Sequence, residues 1–190
     1  DAYMNYTTDY ISQITKISDQ ITKISDGLLI TTYINGTSDL KAGADLSFKL
    51  VPAKWMSATL SANTFYVNTK GNFEGADIDN RGVSNNSNIL LDFLPGKSTD
   101  IQLQYFLTTP QYYPQLTTAL THYMNVGVKQ KFLKGAMSVS VLLTDVFNTY
   151  KWQVESKNRI FELTNISTRK SRMLWLGLSY NFNSFKQKKA

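Results

Sequence analysis

The sequence predicts an all-β chain folded as an antiparallel, up-and-down transmembrane β-barrel, and three observations carry the prediction. Apolar residues recur at every second position in segment after segment, the connections between those segments alternate short with long, and aromatic residues gather near segment ends. Successive side chains on a strand point to opposite faces, so the first observation describes strands with one apolar and one polar face. A membrane barrel turns its apolar face to lipid, carries tight turns at one rim and longer loops at the other, and wears aromatic girdles at both interfaces.

Taken in order, the first strand is expected from Tyr3 to Ile17 and the second from Leu28 to Leu50, where Ala44, Leu46, Phe48 and Leu50 alternate with Asp45, Ser47 and Lys49. The third, 55–68, sets Met56, Ala58, Leu60 and Ala62 against Ser57, Thr59, Ser61 and Asn63. The fourth, 83–94, holds Ile89, Leu91 and Phe93. The fifth, 100–110, sets Ile101, Leu103, Tyr105 and Leu107 against Gln102, Gln104 and Phe106. In the sixth, 118–132, Met124, Val126 and Val128 face away from Asn125, Gly127 and Lys129, and in the seventh, 137–154, Val139, Val141 and Leu143 oppose Ser138, Ser140 and Leu142. The eighth, 159–183, places Leu174, Leu176, Leu178, Tyr180 and Phe182 opposite Met173, Trp175, Gly177, Ser179 and Asn181. About eight strands result, an even number that suits up-and-down pairing. Short links at Val51 to Lys54, Pro95 to Thr99 and Lys134 to Ala136 trade with long polar stretches at Thr69 to Ser87 and Thr109 to Leu116. The expected girdle residues are Trp55, Phe65, Tyr66, Phe132, Tyr150, Trp152, Tyr180 and Phe182. Residues 1–183 form the barrel strands and 184–190 a polar, basic tail.

Composition agrees with that class. Across 190 residues, 42% hydrophobic and 18% charged is the balance of an ordered chain. Cysteine is absent, which excludes disulfides, thiolate zinc sites and cysteine nucleophiles. No run of about 18 apolar residues marks a transmembrane helix. A negative mean hydropathy is compatible with a barrel, because only alternate residues meet lipid. The opening Asp1-Ala2-Tyr3-Met4-Asn5 has no signal-peptide pattern, so an exported form implies a processed or truncated start. The net charge of +6 is spread along the chain except at Arg169, Lys170 and Arg172 and in the tail at Lys186, Lys188 and Lys189. A solvated strand end and tail account for these groups without nucleic acid.

One segment admits a second reading. Gln13 to Asp19 is repeated from Gln20 to Asp26, and Ile14, Ile17, Ile21 and Ile24 fall at heptad a and d positions, as in a short coiled-coil helix. Two heptads rich in β-branched residues and closed by Asp26-Gly27 fit an extended strand tip better.

The candidate chemistry is sparse. His122 is the single histidine, so a histidine metal cluster is excluded within one chain, and it is read as an interfacial residue at a strand's outer end. Asp92, Asp100, Glu74 and Asp77 show no spacing specific to acid–base work. Gly96-Lys97-Ser98 lacks the first glycine of a phosphate loop, Leu91 standing there, and is read as a tight turn. The Asn-x-Ser/Thr triplets at Asn5, Asn35, Asn85 and Asn165 carry no assigned role. No catalytic, cofactor or metal residues are expected, and ligand-binding residues are not assigned. Asp145 is the informative position: alternation from Val139 aims it at lipid, where a mid-bilayer charge costs about 2–4 kcal/mol. A β-bulge at Leu143-Thr144 is therefore predicted to turn Asp145 inward and leave Val146, Tyr150 and Trp152 on the outer face.

Three pieces then resemble, in order and spacing, the last strands of TonB-dependent receptors of Bacteroidota and their outer-membrane β-barrel family: Tyr123 to Gly135, Met137 to Thr149, and Leu176 to Phe182. The segment Thr31 to Ser47 is also similar, with Asp45 where the family usually has Glu, and a polar tail follows Phe182 where many barrels end. The resemblance implies a non-enzymatic role in the uptake of a bulky nutrient such as a chelate or oligosaccharide. It also implies a C-terminal position in a larger barrel of about 22 strands, with plug and earlier strands outside this chain. Implied partners are outer-membrane lipid and lipopolysaccharide, the TonB complex through the plug region, and a surface lipoprotein. The implied location is the outer membrane of a Gram-negative cell. Asn63, Gln102, Gln104, Asn125 and Lys129 are expected on the inner wall. The readings set against import are an accessory barrel scaffolding a surface complex and a soluble β-sandwich binding module.

Overall fold

The structure, a computed structural model, describes residues 1–17, 29–73, 75–157 and 162–182. Its strands are β1 (Ala2–Ile17), β2 (Leu29–Ala53), β3 (Met56–Phe73), β4 (Ala76–Phe93), β5 (Thr99–Thr108), β6 (Thr117–Thr118), β7 (Thr121–Phe132), β8 (Met137–Leu143), β9 (Trp152–Lys157), β10 (Glu162–Ser167) and β11 (Leu174–Tyr180). Eight of them make one antiparallel sheet in the order β1-β2-β3-β4-β5-β7-β8-β11, and β10-β9-β6 makes a second. Among the described residues β1 and β11 are the outer strands of the large sheet, which is open.

Cross-strand register converts the alternation of each strand into rows. Phe48, Leu60, Ile89, Tyr105 and Met124 lie side by side, as do Leu50, Ala58, Leu91, Leu103, Val126, Leu143 and Leu174. Phe93, Ile101, Val128, Val141 and Leu176 form a third apolar row. One step along each strand, on the opposite face, run Asp45, Asn63, Asn86, Thr108 and Thr121, then Ser47, Ser61, Asn88, Phe106 and Tyr123. The apolar rows are open to the surroundings: Phe48 is 55% exposed, Leu176 75% and Leu178 74%. Among the described residues the buried apolar side chains are Ile14, Val67 and Ile78 alone. A soluble sandwich buries its apolar face, whereas a sheet in lipid turns that face outward.

The apolar band has two ends. On the outer face of β3 it runs from Met56 to Tyr66, eleven residues, the length a tilted strand needs to cross the hydrocarbon core, about 9–11 residues. Beyond it the outer face turns to Asn68 and Lys70, with Arg81 and Asp79 beside them on β4. At the other end lie the short connections: Lys54-Trp55, Leu94 to Ser98, and a 3₁₀ turn at Leu133–Gly135, where Gly135 takes φ +95. Trp55, Phe93, Phe132, Tyr180 and Phe182 gather at this rim, with Trp55 and Phe93 rings 6.4 Å apart and Tyr180 and Phe182 4.8 Å apart.

Several expected boundaries change. The polar stretch Thr69 to Ser87 is no loop: β3 and β4 stay paired from Met56↔Phe93 to Phe73↔Ala76, well past the bilayer. A polar strand still has its backbone groups to satisfy, and the hairpin ladder satisfies them where no hydrophobic period announces it. The expected strand 118–132 divides into β6 and β7, strand 137–154 into β8 and β9, and strand 159–183 into β10 and β11. Of the duplicated segment, residues 13–17 are strand paired to β2, against the helical reading, while 18–28 lie outside the described residues, as do Glu74 and the tail 184–190. Phe65 and Tyr150 leave the expected girdle, Phe65 lying on the polar face beside Gly43 and Tyr150 edge-on to Tyr123.

Asp145 is turned away from lipid at a one-residue offset of the kind predicted, and the chain leaves the sheet just beyond it. The pairing of β7 with β8 is regular up to Val126↔Leu143; Val146 N then donates to Met124 O at 2.8 Å, one residue past the regular register, with Asp145 at φ +44 and Asn148 at φ +55. Asp and Asn tolerate this left-handed region better than most residues. The buried carboxylate accepts the N–H of Thr149 (2.9 Å) and Tyr150 (3.2 Å) and the hydroxyl of Ser171, while Asp145 N–H donates to Asn125 Oδ1 at 3.1 Å. Val146, Tyr150 and Trp152 consequently form no outer row; Trp152 opens β9 in the second sheet.

Two outcomes are expected in unfolding measurements on lipid-reconstituted protein. Leu60→Arg, in the middle of the apolar band, lowers stability by about 2–4 kcal/mol, while Thr59→Arg on the opposite face costs far less. Asp145→Ala strands the Thr149 and Tyr150 N–H groups and lowers stability by about 1–3 kcal/mol, with Asp145→Asn intermediate.

Candidate functional site

The polar face carries the chemistry, because the opposite face is committed to lipid. Its rows rise from the short-turn rim in a definite order. Nearest the rim, Lys129 stands between Asp100 and Ser140, and Asp100 pairs with Lys131 at 3.0 Å. Next, Asp92 accepts from Gln102 Nε2 at 2.8 Å and Ser57 Oγ at 3.3 Å. Lys49, Thr59, Leu90, Gln104 and Asn125 form the following row, Asn125 being engaged by Asp145. Above them the wall opens into a hollow of about 570 Å³ shared by β2, β3, β4 and β5.

Within the hollow Asn63 is held in place: its amide donates to Asp45 Oδ1 at 2.6 Å and to Tyr3 Oη at 3.1 Å. Gly43 leaves room for that arrangement, since a Cβ there would come within 2.8 Å of the Tyr3 hydroxyl. Ser61, Asn86, Asn88 and Phe106 line the remainder. Phe106 stacks on Tyr123 with ring centroids 4.6 Å apart and planes 17° from parallel, and Tyr150 meets Tyr123 edge-on at 5.4 Å. The aromatic row is thus fixed by offset stacking and a T-shaped contact, the arrangements that ring quadrupoles favour.

A roof lies over the outer part of this face. The connection between β5 and β7 folds inward: Ser84 Oγ donates to Pro110 O at 2.8 Å, and Asn80 Nδ2 to Tyr113 O at 2.6 Å and Leu116 O at 3.3 Å. Gly82 stands between those two anchors, and the Tyr112 ring lies where a side chain on Gly82 would be. β6 then pairs with β9, Ala119 N donates to Gln153 O at 2.9 Å, and Ser156 Oγ to Gln115 O at 2.5 Å, so the β9-β10 hairpin is tied to the same roof. Beneath and beside it lie the buried Val67, Ile78, Thr69 and Asp39, the last two joined at 2.7 Å.

Of the five residues expected on the inner wall, all share the polar face, but Asn63 alone enters the hollow; Gln102, Gln104, Asn125 and Lys129 lie nearer the rim. His122 sits near the outer end of β7 on the lipid-facing side, its ring 6.1 Å from Tyr105. Asp92, Asp100 and Asp77 are apart from one another, each with its own partner. Sequence reasoning did not single out Asn86, Asn88 or Ser61. The usable signal was Phe106, an aromatic in a polar register between Gln104 and Thr108.

The family model described as outer membrane protein beta-barrel family matches residues 1–180. The chain belongs to the outer membrane protein beta-barrel family. No curated protein and no solved structure matches it. Membership places the chain in the outer membrane, and the apolar rows become its lipid-facing surface. In bacterial barrels the short turns are periplasmic and the longer connections extracellular. In this family member the Trp55, Phe132 and Tyr180 rim is accordingly the periplasmic interface, and the roof lies toward the outside.

The roof depends on the missing side chain at Gly82. Gly82→Ala is expected to displace Tyr112 and cost about 1–3 kcal/mol by overpacking. The readout is chymotrypsin cleavage after Tyr112 in outer-membrane vesicles, rising while the heat-dependent gel shift of the barrel persists.

Proposed function

We propose that this outer-membrane barrel is the wall of a TonB-dependent receptor that takes up a bulky nutrient, and that it has no catalytic role. The observation that carries the reading is the built polar face: a hollow whose lining includes Asn, Ser and Thr side chains beside Phe106, and, farther out on the same face, a connection that hydrogen bonds anchor inward rather than outward. A barrel that only scaffolds a complex needs no such recess on the side away from lipid. The order and spacing of Tyr123 to Gly135, Met137 to Thr149 and Leu176 to Phe182 support the same reading. In it, the eight strands join others to close a barrel of about 22 strands. A plug contributed by the rest of the protein meets the TonB complex, and lipopolysaccharide and a surface lipoprotein are neighbours at the outer rim.

Uptake is tested in cells that make or lack the full protein. Accumulation of its nutrient is expected to require the protein and to stop when an uncoupler collapses the proton-motive force. Growth and uptake indifferent to the protein, with loss of a co-purifying surface complex in its absence, would replace import by scaffolding.

A further inference from the structure

From the lining of the hollow we infer that it is a subsite for a neutral, polyhydroxylated ligand, an oligosaccharide rather than an anionic metal chelate. The inference rests on the import reading and names its substrate class.

Charge is the first argument. The lining of the hollow contains no Lys or Arg and two aspartates, Asp1 and Asp45, the second engaged by Asn63. On the polar face Lys49 stands one row below the hollow, outside its lining, and Lys131, nearer the rim, is paired with Asp100. An anionic ligand entering here would lose water and meet carboxylates rather than cationic side chains in the lining itself.

Group chemistry is the second. Ser61, Asn86 and Asn88 stand in adjacent register, Ser61 opposite Asn88 and Asn86 two residues before it on the same strand and face. An amide offers two donors and one acceptor oxygen, and a hydroxyl offers both roles, so the cluster can meet vicinal hydroxyls that each donate and accept. Recognition by such groups is selective, since an analogue lacking the hydroxyl leaves a polar group of the protein unpaired.

The aromatic row is the third. Asn88 pairs across the ladder with Phe106, and Phe106 with Tyr123, so amide, ring and phenol follow one another in a single row. Tyr123 covers one face of the Phe106 ring and holds it rigid. A ring fixed beside hydrogen-bonding amides suits a ligand with an apolar C–H face and a polar edge, as a pyranose has. The roof is anchored farther out on the same face, at Asn80 and Ser84.

The test uses the full protein in outer-membrane vesicles, titrated with linear neutral hexasaccharides of glucose, mannose and xylose, and in parallel with ferric citrate. At least one neutral hexasaccharide is expected to bind, with affinity falling about tenfold or more in Phe106→Ala and in Asn88→Leu, while Gln102→Ala, nearer the rim, leaves it within about twofold. The heat-dependent gel shift shows that each variant is folded. Absence of binding by every saccharide, or binding that Phe106→Ala and Asn88→Leu both retain, overturns the subsite. Energy-dependent uptake of ferric citrate without saccharide binding overturns it while leaving import intact. Saccharide binding lost in both variants but without energy-dependent accumulation keeps the subsite and removes import.

Discussion

The structure depends on one constraint: in hydrocarbon, every backbone N–H and C=O must find its partner within the protein. The ladder meets it over most of the apolar band: the strands from β3 to β8 in the large sheet are paired on both sides, and β2, which β1 flanks only as far as Ala44, is paired there with β3. Once the ladder fixes the pleat, every second residue must tolerate lipid, and the residues between them cannot reach it. The outer rows from Phe48 to Met124 and from Leu50 to Leu174 are therefore dictated by the membrane. The inner rows are what remains free to carry recognition. Polar groups that do fall on the outer face satisfy one another, as Asn85 does with Thr64 at 2.6 Å and Ser87 does with Asn85 at 2.5 Å.

Past the bilayer the same ladder continues in a different solvent, and the two faces exchange roles. On β3 and β4 the outer face becomes polar, with Lys70, Asp79 and Arg81 exposed to water. The inner face acquires Val67 and Ile78, which a small core buries. Strand extension and roof support each other there. The Tyr112 ring of the roof packs against Gly82, the cross-strand partner of Val67, and the extended strands supply Asn80 and Ser84, whose side chains hold the backbone of the roof.

Parity was legible in the sequence wherever lipid imposes it. Val139, Val141 and Leu143 against Ser138 and Ser140, or Ile101 to Leu107 against Gln102 and Gln104, needed no coordinates to be assigned to faces. Strand ends were not legible outside the bilayer, because residues such as Asn68-Thr69-Lys70 and Asp79-Asn80-Arg81 are polar on both faces and leave no period to read. At Asp145 the sequence exposed the conflict between alternation and charge and the one-residue offset that resolves it, but not that the strand ends directly afterward. That ending rests on Ser171, 26 residues away, and on the N–H groups of Thr149 and Tyr150. The hollow was half legible. Asn63 followed from parity, whereas the alignment of Ser61 and Asn88 with Phe106 is a property of cross-strand register, which no single strand contains.

The exit at Asp145 also explains how a long excursion leaves the wall undisturbed. Residues 144 to 173 depart and return at adjacent points: Thr144 N donates to Met173 O at 3.0 Å, Thr144 Oγ1 to Ser171 O at 2.7 Å, and β8 and β11 are paired immediately below at Leu143↔Leu174. The base of the excursion is thus closed by hydrogen bonds at the level where the ladder ends, so the β9-β10 hairpin adds no slack between neighbouring strands. Its far end is joined to β6 and to the roof by contacts that no lipid-facing residue makes. Wall and roof are consequently set by separate groups of residues, the one by apolar rows that lipid selects and the other by polar anchors on the opposite face.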